Sequence, residues 1–150
     1  MATIGTICER DVICTGRETT VQAAARLMRR YRVGTLVIAA GKKGRRIPEG
    51  IVTDRDIVVE VSALDLDPNV LTVGDIASPD LVTVREDDDV LQTMEIMRAK
   101  GVRRLPVTSE RGDLVGIVSI DDLLETMSEQ MFELTRALGR ARVREVQVRR

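Results

Sequence analysis

Two short stretches of the chain carry side chains whose type and spacing suit the holding of a sugar and a phosphate together: Thr53-Asp54-Arg55-Asp56 and Ser119-Ile120-Asp121-Asp122. A threonine or serine directly before a helix offers a hydroxyl and unpaired backbone amides at the positive end of the helix dipole, where an anion is stabilised. An aspartate three positions later lies one turn along the same face. Its two acceptor oxygens match the two donors of a ribose diol. The same Thr/Ser-x-x-Asp pattern is also a capping box, which merely starts a helix and contributes about 1 kcal/mol. Both readings apply to either element alone; their recurrence, each time after Gly-Ile-Val, favours ligand contact for at least one.

Other charged groups are candidates for the phosphate. Arg103 and Arg104 stand where an apolar strand begins, and strand alternation sends their side chains to opposite faces, so one can meet the ligand or both can simply be solvated. An arginine fork there would pair with phosphate; Gly34 and Thr35, at the matching place upstream, cannot. The two stretches are therefore expected to differ in how they meet phosphate. Arg29-Arg30-Tyr31-Arg32 closes a helical pattern, where cations complement the dipole, and the basic turn from Lys42 to Arg46 reads as a solvated hairpin loop.

Composition excludes much else. The chain has no histidine, only Cys8 and Cys14 as thiols, and no Ser-His or Cys-His pair or glycine-rich phosphate loop can be assembled, so neither catalytic residues nor a metal site is expected. The 23 basic and 24 acidic residues nearly cancel, which argues against nucleic acid as a partner. Aromatic stacking platforms are missing, with Tyr31 and Phe132 alone. No apolar run approaches the ~20 residues of a membrane span and no signal-peptide layout is present. A reducing, cytoplasmic setting is expected.

The elements that must position these residues are legible from a self-match. At an offset of 69 residues, Thr3, Gly5, Ile7 and Asp11 fall on Thr72, Gly74, Ile76 and Asp80, and Val21, Met28, Arg29, Val33 and Leu36 fall on Val90, Met97, Arg98, Val102 and Leu105. The offset then drops to 66, bringing Gly50, Ile51, Val52 and Asp56 onto Gly116, Ile117, Val118 and Asp122. Each copy reads as an extended stretch (Asp11 to Thr15; Leu81 to Arg85), an amphipathic helix (Val21, Ala24, Ala25, Met28; Val90, Met94, Met97), two apolar strands and a second helix from about Asp54 or Asp121. The class is α+β, with β-α-β-β-α twice. Boundaries fall at 1–63, a connection at 64–71, a second copy at 72–128 and a basic helix or tail at 129–150.

Two such repeats, each ending in Gly-Ile-Val-(Thr/Ser)-x-x-Asp, with Val33-Gly34-Thr35-Leu36-Val37 and Val102-Arg103-Arg104-Leu105-Pro106-Val107 as the preceding strands, resemble the tandem CBS-domain family, or Bateman module. Val37 departs from the pattern where Pro106 stands in the second copy. The resemblance implies two copies packed about a pseudo-two-fold axis with two clefts for adenosine-type ligands: AMP, ADP or ATP, or NAD or S-adenosylmethionine. By analogy Asp56 and Asp122 hold the ribose, Thr53 and Ser119 with nearby cations such as Arg55, Arg103 and Arg104 meet phosphate, and Ile13, Cys14, Val82 and Thr83 enclose adenine. Val33, Gly34, Thr35, Val102, Leu105 and Pro106 complete the expected walls.

The function implied is a regulatory, ligand-sensing module with no catalytic domain of its own, working through dimer geometry or an unidentified protein target. Modules of this kind commonly pair into a homodimer. The alternative is a ligand-free oligomerisation or adaptor module in which both aspartates are caps only. For the tail, where Met131, Leu134 and Leu138 continue a helical pattern amid six arginines, three readings stand: an extended dimer contact, a reach to the partner module's nucleotide, or a disordered basic arm.

Overall fold

The computed structural model describes all residues except Met1, Lys42, Lys43, Pro79 and Arg150. Two three-stranded sheets of the same topology form. In the first, β1 (Cys14–Thr15) runs parallel to β2 (Thr35–Ala40), which pairs antiparallel with β3 (Ile47–Thr53). In the second, β4 (Val84–Arg85), β5 (Arg104–Thr108) and β6 (Leu114–Ser119) repeat the pattern. The extended stretches expected over 11–15 and 81–85 therefore pair only at their last two residues.

Each parallel crossover is an amphipathic helix, α2 (Val21–Tyr31) or α5 (Val90–Lys100), since parallel strands need a long return path. Thr20 and Asp89 cap them by accepting hydrogen bonds from the Ala23 and Gln92 amides at 3.1 and 2.7 Å. Their apolar faces deliver Val21, Ala24 and Met28, and Met97, to the buried interior, with Met94 packed alongside. Both end in a left-handed residue: Gly101 (φ 66°) after α5, but Arg32 (φ 53°) after α2.

Two helical turns at the start of the repeats were not expected, α1 (Ile4–Ile7) and α4 (Val73–Ile76), and they are exchanged between the halves. Ile4 is buried with Val84, Met97, Leu105 and Val118 of the second repeat, whereas Val73 is buried with Ala24, Met28, Leu36 and Val52 of the first. Matching backbone bonds pin them: Gly5 N to Glu86 O at 2.8 Å, and Gly74 N to Arg17 O at 3.0 Å. The cores of the two halves thus do not follow the sequence repeats, and neither half closes its core without a turn from the other.

After β3 the chain forms α3 (Asp54–Ile57), continued by a π-helical turn from Val58 to Ser62; after β6, α6 runs from Ile120 to Val148 without interruption. From 129 to Val148 the basic tail is helix, in place of the disordered arm that was one of its three readings. The two hairpin turns also meet, Arg45 Nε contacting Asp113 Oδ1 at 2.8 Å and Leu114 N donating to Arg46 O at 2.7 Å. Arg45 therefore finds an acidic partner within the chain, while Lys42 and Lys43 lie outside the described residues.

Candidate functional site

Both Thr/Ser-x-x-Asp elements sit where a strand turns into a helix, because the last strand residue is also the helix N-cap. Thr53 N donates to Asp56 Oδ2 at 2.8 Å and Asp56 N donates to the Thr53 hydroxyl at 3.1 Å; Ser119 and Asp122 repeat this at 2.9 and 3.2 Å. Both are complete capping boxes, and in each the second carboxylate oxygen is left for another donor. The glycine of Gly-Ile-Val has its own cause: a Cβ on Gly116 would stand 2.7 Å from Cys8 Sγ and from the Glu9 carbonyl, where the segment following α1 crosses β6. Glu9 and Ile117 exchange both backbone hydrogen bonds there, at 2.9 Å each.

Two clefts open between the repeats, and each joins the box of one repeat to the strand entry of the other. The first, about 420 Å³, holds Thr53, Asp54, Arg55 and Asp56 against Val102, Arg103, Arg104 and Leu105, with Ile51, Ser78, Asp80, Leu81 and Val82 completing it. The second, about 370 Å³, holds Ser119 and Asp122 against Val33, Gly34 and Thr35, with Glu9, Asp11, Ile13, Arg32 and Ile117. Both volumes fall within the about 300–1,000 Å³ of small-molecule sites. Thr35 and Arg104, which correspond in the self-match, line both clefts and so mark the pseudo-two-fold axis.

One atom at this junction stands out. Thr35 Oγ1 is buried and, among the described residues, is the side-chain polar atom left without a hydrogen-bond partner. Buried hydroxyls nearly always find one, since an unmade bond costs about 1–3 kcal/mol.

Of the residues singled out in the sequence, three face neither cleft. Cys14 turns its thiol to Arg46, whose Nη1 lies 3.3 Å from Sγ, and burial raises the thiol pKa above its usual value although Arg46 opposes the rise. Thr83, its counterpart, is exposed, because only the residue before each (Ile13, Val82) reaches a cleft. Pro106 is buried in mid-strand opposite Ile117. Its effect is indirect: Val37 N donates to Ile13 O at 3.1 Å, whereas Pro106, at the matching position, has no N–H to give the Val82 carbonyl.

Alternation was expected to send Arg103 and Arg104 to opposite faces, but both line the first cleft, since β5 begins only at Arg104 and strict alternation does not yet govern Arg103. Sequence reasoning missed other lining groups. Arg32, read as a helix-end cation, lines the second cleft and narrows the expected difference between the two. Its signal was available: the self-match sets Arg32 against Gly101, an arginine where a left-handed cap favours glycine. Asp80 and Asp11, aligned in the self-match, were noted only as repeat markers; they line the two clefts as a pair.

The CBS domain profile matches residues 4–63 and 73–129, most of the chain. This protein belongs to the CBS domain family. Hypoxic response protein 1 of Mycobacterium tuberculosis is 37% identical over 129 residues, which is 86% of this chain and 87% of that one. A crystal structure of Hypoxic Response Protein I with two coordinated zinc ions, 37% identical, superposes with a TM-score of 0.72 over 84% of this chain and 99% of its own. A CBS domain protein from Pyrobaculum aerophilum, complexed with AMP, is 28% identical with a TM-score of 0.72, covering 80% of this chain and 88% of that one. A hexameric CBS-CP12 protein from bloom-forming cyanobacteria is 26% identical with a TM-score of 0.72, covering 95% and 88%. The chain spans 61% to 87% of the length of the first four curated relatives it matches.

The zinc of that solved structure has no ready donor set here, as the chain lacks histidine and no three Cys, Asp or Glu side chains converge among the described residues. Among the described residues, no helix is long and apolar enough to cross a membrane.

Proposed function

We propose that this CBS module is a regulatory sensor that binds an adenosine nucleotide, AMP above all, in the clefts between its repeats. The observation that carries the reading is the orphaned Thr35 hydroxyl, set in the wall both clefts share. A ligand oxygen or ring nitrogen would satisfy it. The free carboxylate oxygen of Asp56 or Asp122 takes the ribose diol, and the arginine forks take the phosphate.

The first cleft is the better phosphate site. It sets Arg55, Arg103 and Arg104 against Asp54, Asp56 and Asp80, whereas the second offers Arg32 and Arg104 against Glu9, Asp11 and Asp122. Within the boxes the same bias holds, Arg55 standing where Asp121 stands in the second repeat. Val82, Ile51 and Val102 supply an apolar wall for the base, and the Val82 carbonyl, not engaged by Pro106, is an acceptor for an exocyclic amine. Catalysis has no part in this reading; the output passes through a protein target or through the arrangement of modules, by the difference in ligand affinity between two states.

Calorimetry with AMP, ADP, ATP, NAD and S-adenosylmethionine tests it. Submillimolar binding by at least one, lost in Arg104→Ala, supports the proposal. Silence across the panel, with no nucleotide-dependent rise in melting temperature, would leave the capping boxes structural and the module a ligand-free adaptor.

A further inference from the structure

Helix α6 outruns the body that it starts from. Leu123 is buried, but from Met127 onwards every described residue of the helix is exposed, leaving a free rod of six turns. Isolated helices of this kind are marginal in water and draw their stability from packing an apolar face. Such a face exists. Leu124, Met127, Met131, Leu134, Leu138 and Ala141 recur alternately three and four residues apart, and the same spacing carries on to Glu145 and Val148. Leu134 is 69% exposed and Leu138 54%. This is a heptad seam that, beyond Met127, no described residue covers, and its first two residues also line the apolar groove between α5 and α6.

Charge identifies the occupant. Between 120 and 134 the helix carries Asp121, Asp122, Glu125, Glu129 and Glu133 and no cation, whereas between 135 and 148 it carries four arginines and the single acid Glu145, with Arg149 directly after its end. A parallel pair would stack Glu145 on the partner's Glu145 within the seam and set Arg144 beside the partner's Arg149. An antiparallel pair lays the acidic half on the basic half and buries no like-charged couple. We infer that α6 forms an antiparallel two-stranded coiled coil with α6 of a second copy, about 36 Å long from the helical rise, with its two-fold axis near Arg136.

In that pairing Gln130 flanks the partner's Arg144, whereas in a parallel pair it would flank the partner's Thr135. Sedimentation equilibrium of the full chain therefore tests both contact and direction. The wild-type assembly should lose half its mass in the double variant Leu134→Glu/Leu138→Glu and keep it in Phe132→Glu, which lies off the seam; unchanged thermal melting of the nucleotide module would show that the body still folds. At low salt Gln130→Glu should dissociate at least tenfold less readily than Gln130→Arg, and the gap should shrink in high salt, where charges are screened. A monomeric wild-type chain, or an assembly whose mass the seam variant leaves unchanged, overturns the contact. Equal dissociation constants for the two Gln130 variants overturn the antiparallel direction.

Discussion

Asp56 is held by Thr53 through one carboxylate oxygen only: the Thr53 amide donates to Oδ2 at 2.8 Å, and Oδ1 is not used by the cap. Structure and recognition are thus shared between two atoms of one group. Asp56→Asn keeps an oxygen for the cap but presents an amide donor to the ribose, while Asp56→Ala removes both. The asparagine variant should lose binding in the first cleft with stability nearly unchanged, and the alanine variant should also lose about 1 kcal/mol of stability. Calorimetry beside chemical denaturation separates the two; equal binding by Asp56→Asn and wild type would make the aspartate a cap alone.

Arg32 couples stability to recognition in the opposite sense. Its left-handed backbone (φ 53°) costs a non-glycine residue about 1 kcal/mol. Arg32→Gly should raise the melting temperature while weakening nucleotide binding in the second cleft and sparing the first. A lowered melting temperature would show that the arginine side chain, and not its backbone, governs this turn.

The exchanged segments predict unequal glycines. Gly116→Ala drives a Cβ to 2.7 Å from the Glu9 carbonyl, a backbone atom that cannot yield without breaking the bridge to Ile117, so a loss of about 1–3 kcal/mol is expected. Gly50→Ala meets nothing nearer than 3.5 Å and should cost less than half as much. Urea denaturation of the two variants checks the ranking.

Both thiols are raised in pKa, Cys8 and Cys14 first of all by burial, with Arg10 and Arg46 respectively pulling the other way. A group whose folded pKa lies above its unfolded value stabilises the fold fully below the unfolded pKa, near 9.0 for a thiol, and that contribution is lost as pH rises through the folded value. Stability should accordingly be level from pH 7 to 8 and fall above pH 9, and Cys14→Ser should flatten part of the fall. A melting temperature that climbs above pH 9 would refute the assignment.

What the sequence made legible follows from what repeats. The self-match located every strand, both capping boxes and both crossover helices, because hydrophobic period and cap chemistry are local. It could not show that Ile4 completes the core around Val107, or Val73 the core around Leu36, since pairing between halves leaves no periodic trace. The same limit explains the cleft walls. The resemblance set Ile13, Cys14, Val82 and Thr83 together around adenine, but the strands there are only two residues long, and of the four only Ile13 and Val82 line a cleft. Arg32 and the Asp11–Asp80 pair were visible as aligned positions; only three-dimensional placement gave them a cleft to line.

The most direct test of the central claim is a crystal structure of the full chain grown with AMP. The account predicts AMP in the first cleft, its ribose hydroxyls within hydrogen-bond distance of Asp56, its phosphate on Arg55, Arg103 or Arg104, and the Thr35 hydroxyl newly bonded. AMP bound away from both clefts, or both clefts empty at millimolar nucleotide, would contradict it.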